Sequence, residues 1–300
     1  MTRRDSLRIM AAGAGSTALA NAADAPTKAI NTRAIPSSGE KLPVIGMGTW
    51  QTFDVPPDKA APLEQILQAF VELGGKVLDS SPMYGKSEEV AGAMIAKFGL
   101  RPKLFVATKV WIDGKDQGIA QMKASMEKLQ SKPIDLMQVH NLKDVAVHLD
   151  TLRGWKKDGL VRYLGITHYT ASQHGAVEKL LAAEALDFVQ INYSVGESDA
   201  EKTLLPMAKD RGIAVIANRP FAGGELLKAL LAKPLPEWAK EIECTSWPQL
   251  LLKFVVSHPA MTCAIPATSK IAHLRDNMQA GYGTMADEAM RKKIAEAARS

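Results

Sequence analysis

An α/β fold, a closed (β/α)8 TIM barrel, is what this 300-residue sequence predicts. Eight short runs are apolar on both faces, and each is separated from the next by a stretch of helical pattern. Strands of that kind belong to a parallel sheet with right-handed crossovers and helices covering it. Eight units in about 250 residues match a barrel closed on itself. An open doubly wound sheet is the alternative. It usually has fewer strands and a glycine-rich phosphate turn after the first, which Gly46-Met47-Gly48-Thr49 does not supply.

Residues 29–42 carry Ser37-Ser38-Gly39-Glu40 as a turn and predict a small hairpin closing the barrel floor. The first barrel strand covers 42–49 and ends in glycines. A helix over 58–73 places Leu63, Ile66, Leu67, Phe70 and Val71 at helical spacing. A short strand at 76–80 precedes a helix at 86–98. A continuous apolar strand at 104–110 precedes a helix at 116–130, and a strand at 134–140 precedes a helix through 156. The remaining strands fall at 161–167, 188–193, 214–217 and 262–266, with helices at 172–183, 199–211, 247–257 and 271–281. Residues 234–247, polar and proline-bearing, predict an inserted loop with a helical turn. A last helix covers 287–298, and with no long tail after it an open, permissive site is expected. No composition break, repeat or Gly/Ser linker divides residues 26–300, so they are expected to form one domain.

The composition, 46% hydrophobic and 23% charged, is that of an ordinary globular protein. Net charge is +5, with Lys and Arg scattered among acids rather than striped with aromatics, which argues against a nucleic-acid partner. Cys244 and Cys263 lie in no CxxC or Cys/His cluster, so no metal site is suggested; whether they pair stays open.

Residues 1–25 are a different kind of text. A basic start, with Arg3, Arg4 and Arg8, is followed by a small, weakly apolar stretch at 9–20. Ala18-Leu19-Ala20 and Ala23-Asp24-Ala25 resemble small-x-small cleavage sites. This is the plan of an export signal peptide, too short and mild to span a membrane permanently. The Arg3-Arg4 pair resembles a twin-arginine (Tat) signal, though Ser6 stands where that pattern usually has Phe. A periplasmic or exported location follows, with export machinery as a partner through the N-terminus. A disordered alanine-rich tail on a cytoplasmic protein is the alternative. Gly13-Ala14-Gly15-Ser16-Thr17-Ala18 spells G-x-G-x-x-A inside this segment, but no strand precedes it, and no function is assigned to it.

Polar residues end three successive strands. Asp79 follows KVL, Lys109 follows LFVAT and His140 follows IDLMQV, with Tyr84 five residues past Asp79 on a loop started by Pro82. In a parallel barrel these side chains converge on the rim at the C-terminal strand ends, where barrel active sites lie. A free phenol, with a pKa of about 10, is a poor acid at neutral pH. A neighbouring ammonium lowers it, and a carboxylate keeps that ammonium charged. His140 can hold and orient a substrate oxygen. Singly, each residue is as well explained by a cap, a surface phenol or a snorkelling amine. Together they form a proton-donating site suited to a carbonyl undergoing reduction. No side chain supplies a hydride, so a nicotinamide cofactor is implied.

The segments LPVIGMGTW, LDSSPMYGKSEEVAG, LFVATKV, DLMQVHN, YLGITHY, VQINYS and IPATSKIAHLRDN together resemble the aldo-keto reductase family, over about residues 42–281. The resemblance implies a (β/α)8 barrel that reduces aldehydes and ketones to alcohols, with NADP(H) preferred and NAD(H) an alternative. It implies Tyr84 as proton donor, Lys109 and Asp79 as its tuning pair, and His140 as the carbonyl-orienting residue. It places Thr49 and Asp79 beside the cofactor, and Gln190 with the Thr167-His168 pair against the carboxamide. The stretch from 265 to 277, with Ile265, Thr268, Ser269, Lys270, His273 and Asn277, would hold the adenosine end at a helix N-terminus.

Three departures stand out. Thr167-His168 replaces the common Ser-Asn. Asn218-Arg219-Pro220-Phe221 replaces a segment whose Tyr stacks on the nicotinamide; Asn218 cannot stack, and Phe221 or Arg219 would have to compensate. His273 stands where Arg is frequent, leaving Lys270 as the main charge for a 2′-phosphate. The resemblance places Trp50, Phe53, Met83 and Trp111 around a small carbonyl substrate; rim packing explains them equally well. An exported NADP(H)-binding or redox-sensing module with little turnover is the alternative function. Oligomeric state is left open.

Overall fold

The computed structural model describes residues 29–299; the expected signal at 1–25, with its glycine motif, lies outside the described residues. The chain opens with an antiparallel hairpin, β1 (Thr32–Ala34) on β2 (Lys41–Pro43). The parallel strands follow: β3 (Met47–Gly48), β4 (Val77–Asp79), β5 (Phe105–Val110), β6 (Ile134–His140), β7 (Val161–His168), β8 (Phe188–Asn192), β9 (Ala214–Asn218) and β10 (Cys263–Ala264). They lie side by side in chain order. Parallel bridges Ile45 to Ala264 and Gly48 to Ala267 join the two ends and close the barrel.

Helices cover its outside: α1 (Ala61–Glu72), α2 (Ser87–Lys97), α3 (Lys115–Lys128), α4 (Val145–Lys157), α5 (His174–Ala183), α6 (Leu204–Asp210), α7 (Glu225–Leu230), α8 (Trp247–Val256), α9 (Ile271–Gln279) and α10 (Glu288–Arg299). α1 buries Leu63, Ile66, Leu67, Ala69 and Phe70, one apolar stripe at helical spacing turned onto the sheet. The eight-stranded architecture agrees with the sequence-based expectation.

Local differences have local causes. The strand expected at 42–49 divides in two. Lys41–Pro43 belongs to the floor hairpin, and only Met47–Gly48 joins the barrel ladder. The chain bends at Val44, and at Gly46 an added Cβ would lie 2.9 Å from Val77. The strand expected at 262–266 narrows to Cys263–Ala264, and Pro266 has no N–H for the ladder. The helix expected at 199–211 is a 3₁₀ turn at Asp199–Glu201 and a separate α6; Thr203 between them is not helical. α7 was not among the expected helices, although Leu226, Leu227, Leu230 and Leu231 stand at helical spacing.

Two apolar layers result. Residues between strands and helices form the larger one. Inside the barrel, Phe105, Tyr163 and Phe188 pack ring to ring at 5.6–5.9 Å, with Val77, Leu136 and Ile216 around them. Ile35 and Leu42 of the hairpin belong to the same cluster and plug the floor. Both cysteines are free and buried, Cys263 inside the barrel and Cys244 in the outer layer, which settles the pairing question. Burial pushes the Cys244 thiol up to about 11 and the Cys263 thiol higher still, so neither is a thiolate at neutral pH.

The floor plug is expected to matter for stability and not for chemistry. Ile35 is fully buried. Ile35→Ala should cost about 2–5 kcal/mol in urea unfolding, while KM for substrate stays unchanged.

Candidate active site

Strand register brings the polar strand ends onto the inner face. Asp79 pairs in register with Ala107, two residues before Lys109; Lys109 pairs with Gln138, two before His140; His140 pairs with Thr167, and Thr167 with Gln190. Steps of two keep a side chain on the same face. Asp79, Lys109, Gln138, His140, Thr167 and Gln190 therefore all point into the barrel mouth.

Their centre is a buried ion pair. The Lys109 ammonium donates to Asp79 Oδ1 at 2.5 Å and to the Ser80 carbonyl at 2.7 Å. Asp79 Oδ2 accepts from the amides of Gln190 at 2.9 Å and Gln138 at 3.1 Å. Both ions are essentially without solvent exposure, and each is hydrogen-bonded on several sides. Thr49 joins through its hydroxyl, which donates to Ser80 Oγ at 2.9 Å.

Above the pair lies Tyr84, with the Lys109 ammonium 5.0 Å from its ring centroid. Its ring meets the His140 imidazole edge-on, centroids 6.0 Å apart. A tight turn delivers it, closed by the Tyr84 N–H on the Ser81 carbonyl at 3.0 Å. Gly85 follows at φ +57°, and a Cβ there would lie 2.3 Å from the Asp54 carboxylate, which accepts from the Lys86 N–H at 2.9 Å. Only glycine allows that approach. On the other side, Ser81 Oγ lies 3.2 Å from His140 Nδ1.

Burial decides the protonation states. It would lower the Lys109 pKa, but Asp79 and Tyr84 more than offset it, and the ammonium is held above its ordinary value. Burial raises the Tyr84 phenol; Lys109 pulls it down and Asp79 pushes it up, and the net direction is upward. This corrects the expectation that the ammonium lowers the phenol overall. The lysine only reduces the rise, so the phenol stays protonated. Burial, with the Lys109 and His168 charges, takes His140 down to about 3, and the imidazole is neutral.

These groups open onto a cavity of about 560 Å³. Among the expected residues, Thr49, Asp79, Tyr84, His140, Thr167, Gln190, the run 218–221 and Ile265 line it, as do Trp50 and Met83 at its exposed mouth. Others do not. Phe53 is fully buried in the outer core, so it cannot touch a substrate. Trp111 lies outside the lining, under the Lys143 ammonium at 5.6 Å. His168 is stacked on Tyr169, centroids 5.6 Å apart, and its Nδ1 accepts from the Thr170 N–H at 3.3 Å. Thr268, Ser269, Lys270 and His273 lie beyond the lining residue Ala267, at and before the start of α9, and Asn277 in its last turn, with Ser269, Lys270 and His273 exposed and Asn277 buried. Sequence reasoning missed Gln138, Ser81, Asn141 and Tyr169. Gln138 was within reach, being two residues before His140 on the same strand face.

The residues present fit a nicotinamide cofactor. Asn218 Oδ1 is buried without a partner beside Gln190 and Thr167. Gly223 and Gly224 line the wall at positive φ with no side chain to obstruct an extended ligand.

A (β/α)8 barrel whose rim gathers a protonated phenol, a Lys–Asp pair and a neutral imidazole belongs to the class of acid–base barrel enzymes. The chain is a member of the aldo/keto reductase family, whose model matches residues 44–298. It is 29% identical over 249 residues to the methylglyoxal reductase YeaE of Escherichia coli, covering 80% of this chain and 86% of that protein. It is 25% identical to the NADP-dependent D-sorbitol-6-phosphate dehydrogenase of Malus domestica, covering 85% and 90%. Among solved structures, the aldo-keto reductase AKR11C1 of Bacillus halodurans superposes with a TM-score of 0.74 at 22% identity, covering 89% and 96%. A Klebsiella pneumoniae aldo/keto reductase in complex with NADP and acetate gives 0.74 at 24%, covering 86% and 92%.

The protonation states fix a pH profile. With the active phenol protonated below its raised pKa, kcat/KM for reduction should stay level through neutral pH and fall only above the ordinary tyrosine range. His140, already neutral above about 3, should add no limb between pH 5 and 8. A clear inflection near 6.5 in the measured profile would contradict this assignment.

Proposed function

We propose that the protein reduces aldehyde or ketone carbonyls to alcohols with NADP(H), Tyr84 giving the proton. The observation carrying this is the buried Asp79–Lys109 pair beneath a protonated phenol at the mouth of a cavity of about 560 Å³. NADP in the names of the apple dehydrogenase and the Klebsiella structure supports the cofactor, and the E. coli relative supports small reactive aldehydes as substrates.

Bound NADPH would supply the hydride. Thr167, Gln190 and Asn218 would hold its nicotinamide end, and Ser269, Lys270 and His273 its 2′-phosphate. The chain's own residues handle the proton. His140, being neutral, has no imidazolium proton to give up and orients the carbonyl oxygen by donating a hydrogen bond from its ring N–H. The Tyr84 hydroxyl donates its proton to that oxygen as negative charge develops there. Lys109 stabilises the phenolate left behind, and Asp79 keeps Lys109 charged for that purpose. Apolar side chains at the mouth, Trp50 and Met83, shield the substrate from water.

Residues 1–25 support a second part of the reading, export of the folded barrel by a twin-arginine route to the periplasm. A folded-protein route would let the barrel cross with its cofactor in place.

Two measurements test these readings. Tyr84→Phe removes only the phenolic hydroxyl and should lower kcat by about 10²-fold or more; an intact rate would sink the mechanism. N-terminal sequencing of protein from its native cells should begin near Asn21 or Pro26, and a start at Met1 or Thr2 would reject export.

A further inference from the structure

We infer that Ser81 is a positioning residue for His140, donating its hydroxyl proton to Nδ1 so that the ring carries its own proton on Nε2, toward the cavity. Three observations lead there. Ser81 is fully buried, so its hydroxyl must find its partners inside the protein. Its oxygen accepts from the Met83 N–H at 3.2 Å, as a serine does when it closes a short turn. A hydroxyl has one proton to give, and the one side-chain nitrogen in hydrogen-bond contact with Ser81 Oγ among the described residues is His140 Nδ1, at 3.2 Å.

The consequence follows from imidazole chemistry. A neutral ring has one N–H and one bare nitrogen. If Nδ1 receives the Ser81 proton, Nδ1 is bare and Nε2 holds the N–H. No protein group among the described residues hydrogen-bonds Nε2, and His140 lines the cavity. That edge is the donor a carbonyl oxygen would meet. The opposite tautomer would present a lone pair to the oxygen and repel it.

The same serine also reaches Tyr84. Its carbonyl accepts from the Tyr84 N–H at 3.0 Å, closing the turn that carries the phenol. One residue therefore ties the loop after β4 to the end of β6, across β5, and sets the phenol and the imidazole relative to each other. The titratable groups around the ring are Lys109, His168 and Tyr84; none of them hydrogen-bonds Nδ1, so the tautomer is left to Ser81.

The inference rests on the carbonyl-reductase reading for its consequence, but its main test needs neither substrate nor cofactor. Full-length protein is labelled with 15N-histidine, and His140 is assigned among the six histidines by loss of its signals in His140→Gln. The wild-type ring should show a hydrogen-bonded, unprotonated Nδ1 and a protonated Nε2. In Ser81→Ala the Nδ1 resonance should leave the position of a hydrogen-bonded acceptor, and kcat should fall about tenfold or more while NADPH affinity changes little. Ser81→Thr, which keeps the hydroxyl, should restore both. A wild-type proton on Nδ1, or an Nδ1 signal indifferent to Ser81→Ala, overturns the inference, even if the rate falls. Should Ser81→Ala not fold, Ser81→Cys, a weaker donor, is read in the same way.

Discussion

The active rim depends on one interaction, the buried pair of Asp79 and Lys109. Moving two charges out of water costs several kcal/mol per ion, and their attraction repays this only when the remaining donors and acceptors are satisfied. Here they are. The carboxylate takes one ammonium and two amides, and the ammonium is shared between the carboxylate and a backbone carbonyl. Gln138 and Gln190 thus help keep a charged pair viable in the barrel, and Gln190 also lines the cavity.

Around that pair, burial and charge divide the work. Burial keeps the phenol protonated and the imidazole neutral, which are the forms a proton donor and a hydrogen-bonding orienter need. The ammonium opposes burial at the phenol without overcoming it. Its stabilisation counts most once the proton has left and a phenolate must be carried in a dry site. A more exposed rim would screen the lysine and ease burial at both groups.

The molecule also separates stability from chemistry by height. The lower barrel is filled by Phe105, Tyr163 and Phe188 and sealed by a hairpin. The upper barrel holds the polar residues. β4, β5 and β6 contribute to both, with apolar runs that lead up to Asp79, Lys109 and His140. Loops then add what strands cannot, most clearly the turn from Ser81 to Tyr84, locked by Gly85 and Asp54.

Much of this was legible in the sequence. Apolar runs and helical spacing are local properties, so eight strands, their order and the polar residues at their ends could be read without coordinates. The fully buried Phe53 and the displaced Trp111 could not, because an aromatic after a strand looks the same whether it faces a cavity or the core. The division of residues 42–49 escaped for a similar reason: it depends on what the segment packs against. The sequence alone determined the barrel and which polar residues gather at the ends of its strands, since strand parity and residue chemistry are written locally. Tertiary structure decided the Gln138–Asp79–Gln190 network, the Ser81–His140 contact and the upward direction of the Tyr84 pKa. Hydrogen-bond partners and burial are set by neighbours tens of residues away, and no local pattern encodes them.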